Sequence, residues 1–209
     1  TMTGLASKFS TLVFMISGTN ILMSLMVAAV LTTLLGMGMP TPSAYILAAV
    51  LISPVLAGLG VDEMAGHLFL LYFAVMSALT PPVAVAAYAA SAIADENPLV
   101  IAAQSVKISI GAFLIPFAFI YQPALLMIGS VWEIGFAVVT ALVGLFFAAV
   151  AIEGYLGRTI ARGPRLLCFA GALLILFGGY LLVLGALAIF AVALLWNRAG
   201  QAAETSAAE

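Results

Sequence analysis

Apolar positions fill this chain in long continuous blocks, without the two-residue or 3.6-residue alternation of elements that are wet on one side. Residues 9–61 contain no Asp, Glu, Lys, Arg or His. Blocks of that kind are enclosed by protein on all sides or face lipid. A helix needs about 20 apolar residues, at about 1.5 Å of rise each, to cross a hydrocarbon core. By that ruler residues 108–132 and 134–152 are spanning helices, separated only by Glu133 at a turn. Residues 64–94 are also long enough, but "SALTPPVA" (77–84) interrupts them with adjacent prolines, which remove two backbone donors and clash with the preceding turn. A broken spanning helix is expected there. Residues 166–197 exceed one crossing and carry "FGGYL" at their middle, so two short helices in a hairpin are expected.

The stretch 9–61 is punctuated by "SGTN" (17–20), "GMGMPTPS" (36–43) and "GLG" (58–60). The pieces between, 21–35 and 43–57, are each about 22 Å long as helices, short of the roughly 30 Å core. Two half-length helices meeting at a Gly/Pro tip predict a re-entrant hairpin over 21–57. One kinked helix over about 23–47 is the alternative. The tail after 198 is small, polar and alanine-rich, and disorder is expected over 199–209.

Composition turns this pattern into a class. The chain is 66% hydrophobic and 7% charged, against about 25% charged in an ordinary globular domain, with a mean hydropathy of +1.30. It is an all-α, polytopic membrane protein embedded in the lipid bilayer. Six Lys and Arg cannot form the basic face that nucleic-acid binding requires. The lone Cys168 lies in an apolar run and excludes an intrachain disulfide, and the single His67 has no second His or Cys nearby, which favours a structural role over metal ligation. Beginning on Thr1, the sequence reads as a fragment, with no signal peptide in order. No nucleophile–base pair, phosphate loop or dinucleotide fingerprint supports an enzyme, and no organic cofactor is expected.

Charge also sets orientation. Arg158, Arg162 and Arg165 are half of the basic residues, so their loop is expected in the cytoplasm. Counting crossings from there puts Glu133 outside, Lys107 and "DENP" (95–98) inside, and "VDEM" (61–64) outside. The hairpin then enters from the outside and Arg198 returns to the cytoplasm. Lys107 is expected to snorkel to the headgroups, and Trp132 and Trp196 to anchor the interfaces.

Helix breaks at membrane depth free backbone groups that hydrocarbon cannot satisfy, so they are tolerated only against protein, water or a ligand. Both breaks also carry hydroxyls: Thr41 and Ser43 in the first, Ser77 and Thr80 in the second. Carbonyl and hydroxyl oxygens suit a small dehydrated cation, and half-helix N-termini suit an anion. The paired breaks therefore point to a cation-coupled anion transporter. The competing reading is a pair of packing kinks, with Thr80 bonded back to its own helix.

Three motifs, G-M-G-x-P-T-x-x-A-Y at 36–45, H-L-F-x-x-Y at 67–72 and T-P-P-V-A-x-A-A-Y-A-A at 80–90, resemble the large, DctM-like permease subunit of tripartite ATP-independent periplasmic (TRAP) transporters. The nearest pattern is the fused-permease type used with TAXI-class periplasmic binding proteins. "KISIGAFLIPFAFIYQPALL" (107–126) extends the likeness. The resemblance implies an inverted-repeat, elevator-type secondary transporter of the bacterial inner membrane, importing a small organic anion with sodium, or alternatively protons, as the coupling ion.

On that resemblance residues 1–128 are the second, C-terminal repeat, and 129–198 are additional C-terminal transmembrane helices. Gly36, Gly38, Pro40, Thr41 and Ser43 become the hairpin tip, and Ser77, Ala78, Thr80, Pro81 and Pro82 the broken helix. Gly36, Thr41 and Thr80 are the implied sodium contacts. A TAXI-type binding protein is the implied partner, and the N-terminal repeat and small-subunit helices would come from the same parent chain or a separate one. A non-transporting membrane scaffold or assembly subunit is the alternative from another class. A channel is disfavoured by the lack of a polar pore-lining stripe.

Overall fold

The computed structural model describes residues 20–156, 159–178 and 180–208, with Lys8, Thr11 and Met15. "SGT" at 17–19, Arg158 and Gly179 lie outside the described residues. Nine helices are described: α1 Ile21–Gly36, α2 Thr41–Gly58, α3 Glu63–Met76, α4 Val85–Ala94, α5 Pro98–Ile108, α6 Ile110–Tyr121, α7 Val131–Glu153, α8 Arg162–Phe177 and α9 Tyr180–Ala208. A 3₁₀ turn at Pro123–Leu126 precedes α7. The all-helical class is as expected from the apolar blocks.

Polar residues at the block edges start these helices. The Asn20 side chain accepts from Met23 N–H, Asp62 from Ala65 N–H and Asn97 from Leu99 N–H. Ser130 and Glu133 form a reciprocal capping box on α7. Two units are distinguishable, 1–120 and 121–209.

In the first unit α1, α2 and α3 pack on one another. Leu25, Ala28, Ala44, Ala48, Ile52, Phe69 and Leu70 are buried at their centre. Alanines at the contacts let the backbones approach, as packing inside a bilayer favours. Aromatic rings join α3 to α6: Phe69 meets Phe117 edge-on at 5.1 Å, and Phe73 meets Phe117 at 5.8 Å. In the second unit Gly144 of α7 receives Leu176 and Ile175 of α8, while Phe147 stacks on Phe190 of α9 at 3.7 Å.

Two expectations are corrected. Residues 108–132 are not one spanning helix. Asn97 and Pro98 start helix ten residues earlier, and Pro123 holds Gln122 out of the helical region at φ −130°, ψ 81°, so α6 ends at Tyr121. The apolar crossing is the pair α5–α6, bent by 42° at Ser109. Lys107 consequently stands beside that bend instead of at the head of a spanning helix. The tail is also not irregular, because α9 continues through 199–208, where alanine's high helix propensity outweighs the loss of apolar character. By length and composition α2 and α7 can cross a membrane singly, and α5–α6 can do so as a bent pair.

Candidate functional site

Helix stops at Gly36 and resumes at Thr41, so no continuous helix runs through the tip. The turn closes with Met37 N–H on Leu34 C=O at 3.3 Å and Met39 N–H on Gly36 C=O at 3.2 Å. Gly38 sits at φ +79°, a conformation that side chains disfavour, and Pro40 and Pro42 fit the first turn of α2 because no donor is needed there. Among the described residues the carbonyls of Met37, Gly38 and Met39 accept no backbone hydrogen bond.

The second break begins where α3 tightens. Ala78, Leu79 and Thr80 N–H groups bond three residues back, to Val75, Met76 and Ser77 C=O. The Pro81–Pro82 bond is cis, and Ala84 takes φ 34° before α4 starts. Ala86 N–H then reaches across the break to Ala78 C=O at 3.1 Å. The Ser77 hydroxyl donates to Ala74 C=O at 2.7 Å and the Thr80 hydroxyl to Met76 C=O at 2.9 Å. Each donor is thus committed to its own helix, while the oxygen lone pairs stay available.

The two breaks face each other. A Cβ built on Gly36 would lie 2.5 Å from Ser77 Oγ and 2.8 Å from Ser77 Cβ, so the end of α1 rests directly on the end of α3. Beside it, a Cβ on Gly38 would come 3.6 Å from Val83. Met37 and Thr80 share the wall of an open groove of about 540 Å³ with Leu34 and Phe113, and none of its lining side chains is charged. Ser77 is buried, Thr41, Ala78, Thr80 and Pro81 are half-buried, and Gly38, Pro40, Ser43 and Pro82 are exposed. Gly36, Gly38, Ser77 and Thr80 are therefore brought together at one place. The Thr41 and Ser43 hydroxyls make no hydrogen bond among the described residues, to the second break or elsewhere.

Several residues of this region were not singled out from sequence. Val83, 3.6 Å from where a Cβ on Gly38 would stand, and Met37, which lines the groove with Thr80, are placed by relations that no local motif marks. Thr32, one turn before Gly36 on the same face of α1, is fully buried and its hydroxyl is without a hydrogen-bond partner among the described residues. A further tie lies at the other end of α3. His67 Nδ1 is 3.0 Å from the Tyr45 hydroxyl and Nε2 is 3.3 Å from the Ser53 hydroxyl, so one imidazole clasps two positions of α2.

A multi-pass helical membrane protein with two apposed helix breaks is the class that fold and site define. The family model described as "Tripartite ATP-independent periplasmic transporter, DctM component" matches residues 1–134, and the chain belongs to that family. The family is one of secondary transporters of organic acids that operate with a periplasmic binding protein, not of enzymes. The match takes in both breaks and ends in the first turn of α7. No curated protein and no solved structure matches the chain.

Proposed function

We propose that the apposed breaks form one half of the ion and substrate site of a permease that imports a small carboxylate on a sodium gradient. The observation that carries this reading is the seating of Gly36 on Ser77. It joins two places where backbone carbonyls leave their helices, and such carbonyls with nearby hydroxyls are the hard oxygen donors a sodium ion takes in place of water. The buried Thr32 hydroxyl, without a hydrogen-bond partner among the described residues, adds a further oxygen one turn away. At the same tip α2 begins, and its N–H groups present a positive dipole end suited to a carboxylate. Sodium and carboxylate are cargo here, bound and released in each cycle.

In this reading α1 and α2 are a re-entrant hairpin entering from the periplasmic side of the bacterial inner membrane, with the segment 158–165 in the cytoplasm. The hairpin and the α3–α4 broken helix move together as an elevator, because the Gly36 seat and the His67 clasp tie α2 and α1 to α3 at both ends. A TAXI-type binding protein delivers the anion. An N-terminal repeat supplies the equivalent second pair of breaks.

The test is uptake into proteoliposomes by the intact permease with its binding protein. Uptake that collapses when external sodium is replaced by choline supports the assignment; uptake that persists there, or that a proton gradient drives equally well without sodium, removes it.

A further inference from the structure

The second unit holds a pocket outside the two breaks. It is a space of about 350 Å³ between the end of α7 and the start of α8, lined by Ala151, Ile152, Arg162, Arg165, Leu166 and Phe169. Its walls are almost wholly apolar, and Arg162 and Arg165 are the only charged residues that line it. A ligand that satisfies both must carry an anionic end and a hydrocarbon body.

Arg165 is fixed in place. Its Nε donates to Ala151 C=O at 2.9 Å and its Nη2 to Ile152 C=O at 2.6 Å, so it closes the C-terminal end of α7, where cations are favoured. Gly154, at φ +68°, makes that reach possible, since a Cβ there would stand 2.7 Å from the guanidinium carbon. The remaining N–H groups of Arg165 keep donor capacity beyond those two carbonyls. Arg162, one turn earlier on α8, is exposed. With no acid in the lining, the site is net cationic.

The depth of the site is marked independently. Trp196 of α9 lies against Gly163, and Asn197 ties the connecting segment down, donating to Thr159 C=O at 3.1 Å and accepting from Ala161 N–H at 3.0 Å. A half-exposed tryptophan beside polar loop ties, at the end of the 23-residue apolar helix α7, is the pattern of a membrane–water interface. Leu166 and Phe169 then lie on the hydrocarbon side of the arginines.

From these relations we infer that the pocket binds an anionic phospholipid of the surrounding bilayer, its phosphate on Arg162 and Arg165 and an acyl chain along Leu166 and Phe169. Basic pockets between membrane helices recognise headgroups in this way. The inference depends on the multi-pass membrane class alone and stands apart from the transport assignment.

The test is native mass spectrometry of the full chain in detergent with phosphatidylglycerol and phosphatidylcholine of identical acyl chains at equal concentration. Phosphatidylglycerol adducts should exceed phosphatidylcholine adducts by about fivefold for each arginine engaged. Arg162→Gln should remove about fivefold of that preference and Arg162→Lys should keep most of it. Equal adducts in the wild-type chain, or a preference untouched by Arg162→Gln, would overturn the proposal. Release of the bound lipid by millimolar glycerol 3-phosphate would also overturn it, because the pocket would then be a small-anion site.

Discussion

Gly36 and Ser77 are in such close register that a single methyl group on Gly36 would overlap the Ser77 side chain, its carbon 2.5 Å from Oγ and 2.8 Å from Cβ. Neither end of the contact can give easily. Ser77 is buried, and its hydroxyl is held on Ala74 C=O. Gly36→Ala is therefore expected to destabilise the protein by about 1–3 kcal/mol, as overpacking does, and to impair uptake. Adding Ser77→Gly removes the opposing atoms and should restore most of the loss. A double-mutant cycle on thermal unfolding in detergent checks this: strong coupling is expected, and simple additivity would mean that the two breaks do not bear on each other.

Thr32 separates a structural from a functional hydroxyl. An unpaired buried hydroxyl costs about 1–3 kcal/mol, so Thr32→Val should leave stability unchanged or raise it. The same substitution removes a candidate oxygen from the ion site and should raise the sodium concentration needed for half-maximal uptake. Stability that rises with sodium activation unaltered would take Thr32 out of the site.

His67 joins Tyr45 and Ser53, eight residues apart on one face of α2, to α3. His67→Ala leaves two half-buried hydroxyls without that partner and should cost about 1–3 kcal/mol, while Tyr45→Phe, which loses one bond, should cost about 0.5–1.5 kcal/mol. Thermal unfolding monitored by circular dichroism measures both. Equal melting temperatures for His67→Ala and the wild type would show that the clasp carries no weight in the hairpin's attachment.

The second unit gives a control. Gln122 Nε2 donates to Leu176 C=O at 3.0 Å, with Ile175 and Gly178 C=O at 3.4 and 3.5 Å, and so covers the C-terminal end of α8. Gln122→Leu uncovers those carbonyls and should lower stability by about 1–3 kcal/mol while leaving the sodium concentration for half-maximal uptake as in the wild type. A shift in that concentration would tie this residue to the ion site.

Both breaks were legible in the sequence because Gly and Pro act locally. Gly38 at positive φ and Pro81 beside Pro82 carry their conformational demands wherever they stand. The all-helical membrane class was legible for a similarly direct reason, the continuity of the apolar blocks. The end of α6 was not, because Gln122–Pro123 is a single polar residue and a proline inside an otherwise unbroken apolar run, and hydropathy averaged over it. The bend at Ser109 likewise has no Pro to announce it. Helix through 199–208 is hidden behind polarity, which suggests disorder, although Ala and Gln favour helix. The seat of Gly36 on Ser77, the orphan hydroxyl of Thr32 and the grip of His67 on Tyr45 and Ser53 join residues far apart in sequence or depend on what surrounds one of them. Only tertiary packing creates them.

That the two breaks hold the coupling ion together is tested most directly at Thr80, which lies in the second break and lines the groove with Met37 of the first. Sodium titration of uptake in proteoliposomes should be compared between the intact wild-type permease and its Thr80→Val form, which loses one oxygen at nearly constant volume. The half-maximal sodium concentration is expected to rise by about tenfold, the equivalent of about 1.4 kcal/mol, with the protein still folded and inserted. Identical sodium curves for the two proteins would contradict it.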